Sequence, residues 1–215
     1  MELLHKILHA LAQGLSYVLY PLFIPTYGMV LFCATMVPLS GDRLPLSAWL
    51  VSVGTTFILT ALIPITAIMI RVRRGKVTDL YISDPAQRTV PYIYTAVGFG
   101  FWCYLLAKVL QAPLFIDLVA IGATLALIGV MLINRRWKIS AHLTAMGGLV
   151  GGVMSHSLAT QQTMLWLPLA LMLLSLLLMY ARIYLRAHDP LQVIAGFLFG
   201  LCMTFLPNMI ISYVA

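Results

Sequence analysis

Residues 113–134 read PLFIDLVAIGATLALIGVMLIN, and Arg135-Arg136-Trp137-Lys138 follow at once. A single ionisable side chain, Asp117, interrupts that stretch. A helix rising about 1.5 Å per residue crosses a hydrocarbon layer of about 30 Å in about 20 residues. The segment is therefore long enough to span a bilayer. It is apolar on every face, as a helix surrounded by lipid must be. The basic cluster behind it marks the return to a membrane interface.

The rest of the chain has the same character. Of 215 residues, 62% are hydrophobic and 9% charged, against about a quarter charged in soluble domains. A single soluble core of this size could not hide so much apolar surface. A disordered polar chain, a nucleic-acid binder and an ordinary cytosolic enzyme are excluded. Seven segments reach spanning length, at 15–38, 46–70, 92–111, 113–134, 141–160, 163–181 and 191–213. The expected fold is an all-α integral membrane protein, one domain over 1–215, built as a bundle of six to seven transmembrane helices. Pro21 and Pro25 kink the first span. Ahead of it, Leu3, Leu4, Ile7, Leu8, Leu11 and Leu15 recur at helical spacing opposite His5, Lys6 and His9. This predicts an amphipathic helix over 1–14, lying on the membrane surface. Gly147/Gly151, Gly148/Gly152 and Gly196/Gly200 give small-xxx-small spacings that let helix backbones approach closely. Cys33, Cys103 and Cys202 fall inside apolar runs without metal-ligand or disulfide spacing, so they read as small hydrophobes. No metal or cofactor is expected.

Counting spans puts the 71–91, 135–140 and 182–190 loops on one side of the membrane. They hold Arg71, Arg73, Arg74, Lys76, Arg88, Arg135, Arg136, Lys138, Arg182 and Arg186, ten of the 13 cations. Ordinary enrichment of cytoplasmic loops in Lys and Arg accounts for Arg71, Arg73, Arg74, Arg135 and Arg136. Arg88 and Arg182 share their loops with helix starts and histidines, which points to an anion site instead.

Three helix starts carry the argument. Asp84-Pro85-Ala86-Gln87 reads as an N-cap, a proline at the first helical position and a capping-box glutamine, with Arg88 next. Asp189-Pro190-Leu191-Gln192 repeats that grammar, with His188 just before its cap. Ser140 is the expected N-cap of the fifth span, with His142 in its first turn. A helix N-terminus already bears about half a positive charge. Arg88, or a protonated His142, placed there would gain from a bound anion, and the unpaired N–H groups suit phosphate. Elsewhere, His156 is placed about 21 Å from His142, near the opposite interface, as a packing or headgroup contact. Lys108 and Asp117 flank a turn across which they could pair.

Lys138-Ile-Ser140-Ala-His142 followed by Arg182-x5-His188 resembles motifs two and three of the type 2 phosphatidic acid phosphatase (PAP2) superfamily, over roughly residues 76–200. The family patterns are K-x6-R-P, P-S-G-H and S-R-x5-H-x3-D. The resemblance implies that His188 attacks phosphorus and that His142 is the general acid and then the base. It also implies that Arg88, Arg182, Ser140 and Lys138 bind phosphoryl oxygens, without metal. Asp84, Asp189 and Gln192 are capping or orienting residues. The chain departs from the patterns at Tyr81, Pro91, Ile139, Ala141 and Ala181, and above all at Gln192, where the family has aspartate. A glutamine carbonyl can accept a hydrogen bond from the nucleophile but supplies no charge.

The implied activity is hydrolysis of a lipid phosphomonoester or pyrophosphate, of phosphatidic acid, phosphatidylglycerophosphate or polyprenyl phosphate type, through a phosphohistidine. The alternative is a lipid-phosphate binding or transport protein that does not cleave. Partners are the bilayer and a lipid phosphate, with no nucleic acid. The implied location is a bacterial cytoplasmic (inner) membrane. The charge distribution faces the site to the cytoplasm, whereas the bacterial relatives favour the periplasmic face.

Overall fold

A computed structural model describes residues 2–36, 45–78, 87, 89–159 and 166–214, which form helices and the turns between them, with no strand among them. The elements are α1 (Glu2–Val18), α2 (Ile24–Leu31, extended by a π-helical turn Phe32–Met36), α3 (Leu46–Arg73) and α4 (Thr89–Leu110). They continue as α5 (Leu114–Ile133), α6 (Ala141–Ala159), α7 (Trp166–Tyr184) and α8 (Pro190–Val214). Among the described residues, α3, α4, α5, α7 and α8 are the five helices long and apolar enough to cross a membrane. This is the build of a multi-pass membrane protein.

The expected first span, 15–38, is not one helix. The chain leaves α1 after Val18, turns through residues 19–23 and re-enters a helix at Ile24. Proline disfavours the helical conformation in the residue before it, so Pro21 ends the first helix near Tyr20 rather than bending it. Among the described residues, the eight of α2 and the five of its π-helical turn cover about 20 Å. Residues 2–18 form the amphipathic helix, with Leu3, Leu4, Ile7 and Leu11 exposed and Ala12 and Ser16 buried.

The 19-residue α6 is absent from the five because its composition is too polar. It occupies the interior instead. Leu143, Met146, Val150 and Val153 on it have no exposed surface, so its glycines, threonine and histidines meet protein and not lipid. The perimeter is inverted relative to a soluble bundle: Leu169, Leu173, Leu176, Leu177 and Tyr180 of α7 point outward. Many hydroxyls that face inward are satisfied within the bundle, Thr26 Oγ1 and Ser157 Oγ being exceptions. Thr56 Oγ1 donates to the Ser52 carbonyl at 2.7 Å, Ser175 Oγ to the Leu171 carbonyl at 2.7 Å, and Thr204 Oγ1 to the Gly148 carbonyl at 2.8 Å. An unpaired hydroxyl in hydrocarbon would cost several kcal/mol, about 4 or more.

Contact between α6 and α8 is the most extensive in the bundle, and glycine makes it possible. A Cβ on Gly196 would lie 2.7 Å from the Ser140 carbonyl oxygen, and one on Gly151 would lie 2.5 Å from the Leu201 carbonyl oxygen. Cβ atoms on Gly147 and Gly200 would collide with the Phe197 and Thr144 carbonyls. The small-xxx-small spacings are thus packing devices. Their effect is to press the start of α8 against the start of α6.

Candidate functional site

The spacing Arg182-x5-His188 has a structural cause. Arg186 adopts φ +51° and closes α7 in a Schellman turn, in which the Ala187 N–H donates to the Arg182 carbonyl at 3.0 Å and the Arg186 N–H to the Ile183 carbonyl at 2.9 Å. A non-glycine residue in the left-handed region costs about 1–2 kcal/mol. The reversal places His188 beside Arg182, with the His188 N–H 3.4 Å from the Arg182 carbonyl. Arg182 itself is buried at 8% exposure, and His188 is half-buried.

The expected capping box at the start of α8 is present. Asp189 Oδ1 accepts the Gln192 N–H at 2.9 Å, and Gln192 Oε1 accepts the Asp189 N–H at 3.4 Å. Gln192 Oε1 also lies 2.9 Å from His188 Nδ1. Because that oxygen already accepts from a backbone N–H, it is a carbonyl, and His188 Nδ1 must be the donor. The neutral ring then carries its lone pair on Nε2. Gln192 therefore does both jobs considered for it, capping the helix and orienting the histidine.

Ser140 caps α6 as expected: its Oγ accepts the Leu143 N–H at 3.5 Å, and its carbonyl accepts from Thr144 N and Thr144 Oγ1, each at 2.9 Å. The Ser140 N–H donates to the Gln192 carbonyl at 3.3 Å, which ties the two helix starts together. His142, 5% exposed, places Nε2 3.2 Å from the Ser16 carbonyl oxygen of α1. Tyr20 meets its ring edge-on, with centroids 5.9 Å apart. Arg182 and His188 both act electrostatically on His142.

His142, Arg182 and His188 lie on the wall of one cavity of about 170 Å³. Ile68, Tyr92 and Val130 line the same cavity, so the ends of α3 and α5 converge there with the starts of α4, α6 and α8. This is the convergence that counting spans requires of the three loops. From this polar end the cavity runs between apolar walls to Phe32, Trp102 and Ile116. Along α5 the lining from Val130 to Ile116 covers about 21 Å.

The remaining expected residues have other places. Ser140 is fully buried behind its cap and Lys138 is half-buried, and neither lies on the cavity wall. Asp84 and Arg88 lie outside the described residues. The side-chain carbonyl of Gln87 accepts the Thr78 N–H at 2.8 Å, bridging back toward α3. Lys108 is exposed and makes no ion pair with Asp117 among the described residues, where Glu2 and Lys6 form one at 2.7 Å. His156 packs its ring 4.0 Å from Phe115, centroid to centroid, one of the two roles expected of it. Cys33 is buried, but Cys202 is exposed on the outer surface. Among the described residues no group of three His, Cys, Asp or Glu side chains could hold a metal.

Sequence reasoning missed Ser16, Tyr20 and Tyr92. The Ser16 contribution is a main-chain carbonyl, which no residue type encodes. Tyr20 had a signal, since it precedes Pro21 at the break between two helices. Compared with protein-family models, curated proteins and solved structures, the chain matches none.

Proposed function

We propose that this protein is an integral-membrane, metal-independent lipid phosphatase that works through a phosphohistidine. The observation that carries the reading is the pairing of His188 Nδ1 with Gln192 Oε1 at 2.9 Å, on a cavity wall shared with His142 and Arg182. A histidine held by Nδ1 presents a nucleophilic lone pair at Nε2.

In the first step the bond from Nε2 of His188 to phosphorus forms as the bond from phosphorus to the ester oxygen breaks. That oxygen takes a proton from protonated His142 and leaves as the alcohol. In the second step His142, now neutral, takes a proton from water as the hydroxide oxygen attacks phosphorus. Phosphate leaves and the His188 lone pair returns. Arg182 faces the charge that builds on the phosphoryl oxygens. Arg88 is the further phosphate-binding residue of this proposal, whereas Lys138 and Ser140, which lie off the cavity wall, take no part in it. The long apolar cavity suits a hydrocarbon tail. The proposal counts α6, about 28 Å long, as a sixth crossing, although α4 and α5 separate the motif-one and motif-two segments that family members commonly carry on one loop.

The test is phosphate release by purified protein from a panel of lipid phosphates, with His188→Ala beside it. The proposal requires release that falls by roughly three orders of magnitude or more in the variant. Equal rates in the two proteins overturn it. A second reading, a lipid-phosphate carrier that binds without cleaving, draws on the neutral Gln192 and on a Ser140 hydroxyl committed to its cap. It predicts salt-sensitive binding of lipid phosphate with no phosphate released at high protein concentration.

A further inference from the structure

We infer that α1 is a positioning element of the site, whose last turn sets the protonation geometry of His142. The inference rests on the phosphatase reading above. His142 stands in the first turn of α6, where the helix end disfavours a positive charge, yet a general acid must be protonated before it acts. The Ser16 carbonyl belongs to the last turn of α1, where helical N–H partners run out and the helix end is negative. At 3.2 Å from His142 Nε2, it brings the favourable end of one helix against the unfavourable end of another.

The carbonyl can only accept, so Nε2 carries a proton in every state of the ring. Nδ1 is then the atom that gives its proton to the leaving oxygen and recovers one from water. His188 uses the opposite assignment, with Nδ1 held and Nε2 reacting.

The rest of α1 is built to hold this contact. Ala12 and Ser16, one turn apart, are its buried residues, and small side chains let the backbone come close. At the other end Tyr184 Oη lies 2.7 Å from His5 Nδ1, two residues beyond Arg182. The helix thus acts as a strap of about 16 Å between His5 and Ser16, tied to α7 at one end and to α6 at the other.

The experiment compares two substrates. Lipid phosphate leaves as an alkoxide and needs the acid, whereas p-nitrophenyl phosphate has a good leaving group and does not. Ser16→Leu puts bulk at a fully buried position and should shift the last turn of α1, with its carbonyl, off His142. It should lower phosphate release from short-chain phosphatidic acid roughly a hundredfold, while the first-turnover burst of nitrophenolate stays within about threefold. The conservative Ser16→Ala keeps the carbonyl and the close approach, and should recover the lipid rate that Ser16→Leu loses. Tyr184→Phe, an isosteric change at a half-buried position, loosens the other end without overpacking and should cost about threefold on the lipid alone. Gln13→Leu, on the exposed face, is the control for added bulk.

Equal losses on both substrates in Ser16→Leu, or no loss in either Ser16→Leu or Tyr184→Phe, overturn the inference and leave the phosphatase reading standing. A wild-type protein that releases neither phosphate nor nitrophenolate overturns both.

Discussion

Gln192→Glu exchanges an amide nitrogen for oxygen and leaves the shape of the side chain unchanged. Glutamate is as good as glutamine at the third position of a capping box, and its charge suits a helix N-terminus, so the start of α8 should be preserved. What changes is the bond of 2.9 Å from His188 Nδ1. A neutral hydrogen bond contributes about 1 kcal/mol net, and one to a charged partner about 1.5–3 kcal/mol. The added stabilisation of a cationic ring is thus about 0.5–2 kcal/mol, with a midpoint of about 1.2 kcal/mol. Phosphorylation at Nε2 makes the ring cationic, so its formation should speed up about five- to tenfold. The same carboxylate also helps His188 keep a proton on Nε2, and a protonated ring cannot attack. The acid limb of kcat/KM against pH should therefore move up by about one unit, and the gain should be visible only above that limb. Gln192→Leu removes the acceptor and should lower kcat/KM about tenfold. The assay is kcat/KM for short-chain phosphatidic acid in detergent across the pH range. If both variants keep the wild-type rate and limb, Gln192 does not orient the reacting histidine and the reasoning fails.

Other expectations concern packing and the tail. Gly200→Ala drives a Cβ into the Thr144 carbonyl and should destabilise the protein by about 1–3 kcal/mol. Gly54→Ala, with nothing within 4 Å, should be neutral or slightly stabilising; thermal unfolding in detergent compares them, and equal shifts would dismiss the close α6–α8 approach. Ala126→Phe fills part of the roughly 170 Å³ cavity and should raise KM for long-tailed lipid phosphates while sparing p-nitrophenyl phosphate. An unchanged tail preference would place the hydrocarbon elsewhere. His142→Ala should reduce lipid phosphate hydrolysis by about 10²–10⁴-fold, measured as phosphate release.

The parts legible in the sequence were those fixed by local chemistry. The apolar run 113–134 became α5 over Leu114–Ile133, because a membrane leaves such a stretch no other structure. Asp189-Pro190-Leu191-Gln192 and Ser140 began helices where their side chains can cap them. Whether Gln192 pairs with His188 or serves only its capping box was open in the sequence, and the structure shows it doing both. What depended on tertiary arrangement was hidden. The polarity of α6 signals an interior position only once its neighbours are known. Pro21 announced a kink, but whether the chain bends or breaks there depends on what α1 docks against. The contact of Ser16 with His142 spans 126 residues and uses a backbone atom, so no pattern in the side chains could reveal it. Lys138 shares a segment with Ser140 and His142, yet spacing alone does not say that it stays off the cavity wall.

The central claim is that His188 takes the phosphoryl group, and the His142→Ala protein offers its most direct test. With p-nitrophenyl phosphate, a good leaving group lets the first step proceed without the acid, whereas the second step lacks its base. Phosphoprotein should therefore accumulate. Mass spectrometry of the protein quenched at alkaline pH should find phosphate on His188, and none when His188→Ala is added to the same background. Nitrophenolate released with His188 unmodified, or no reaction of either protein with any phosphate ester, would contradict the account.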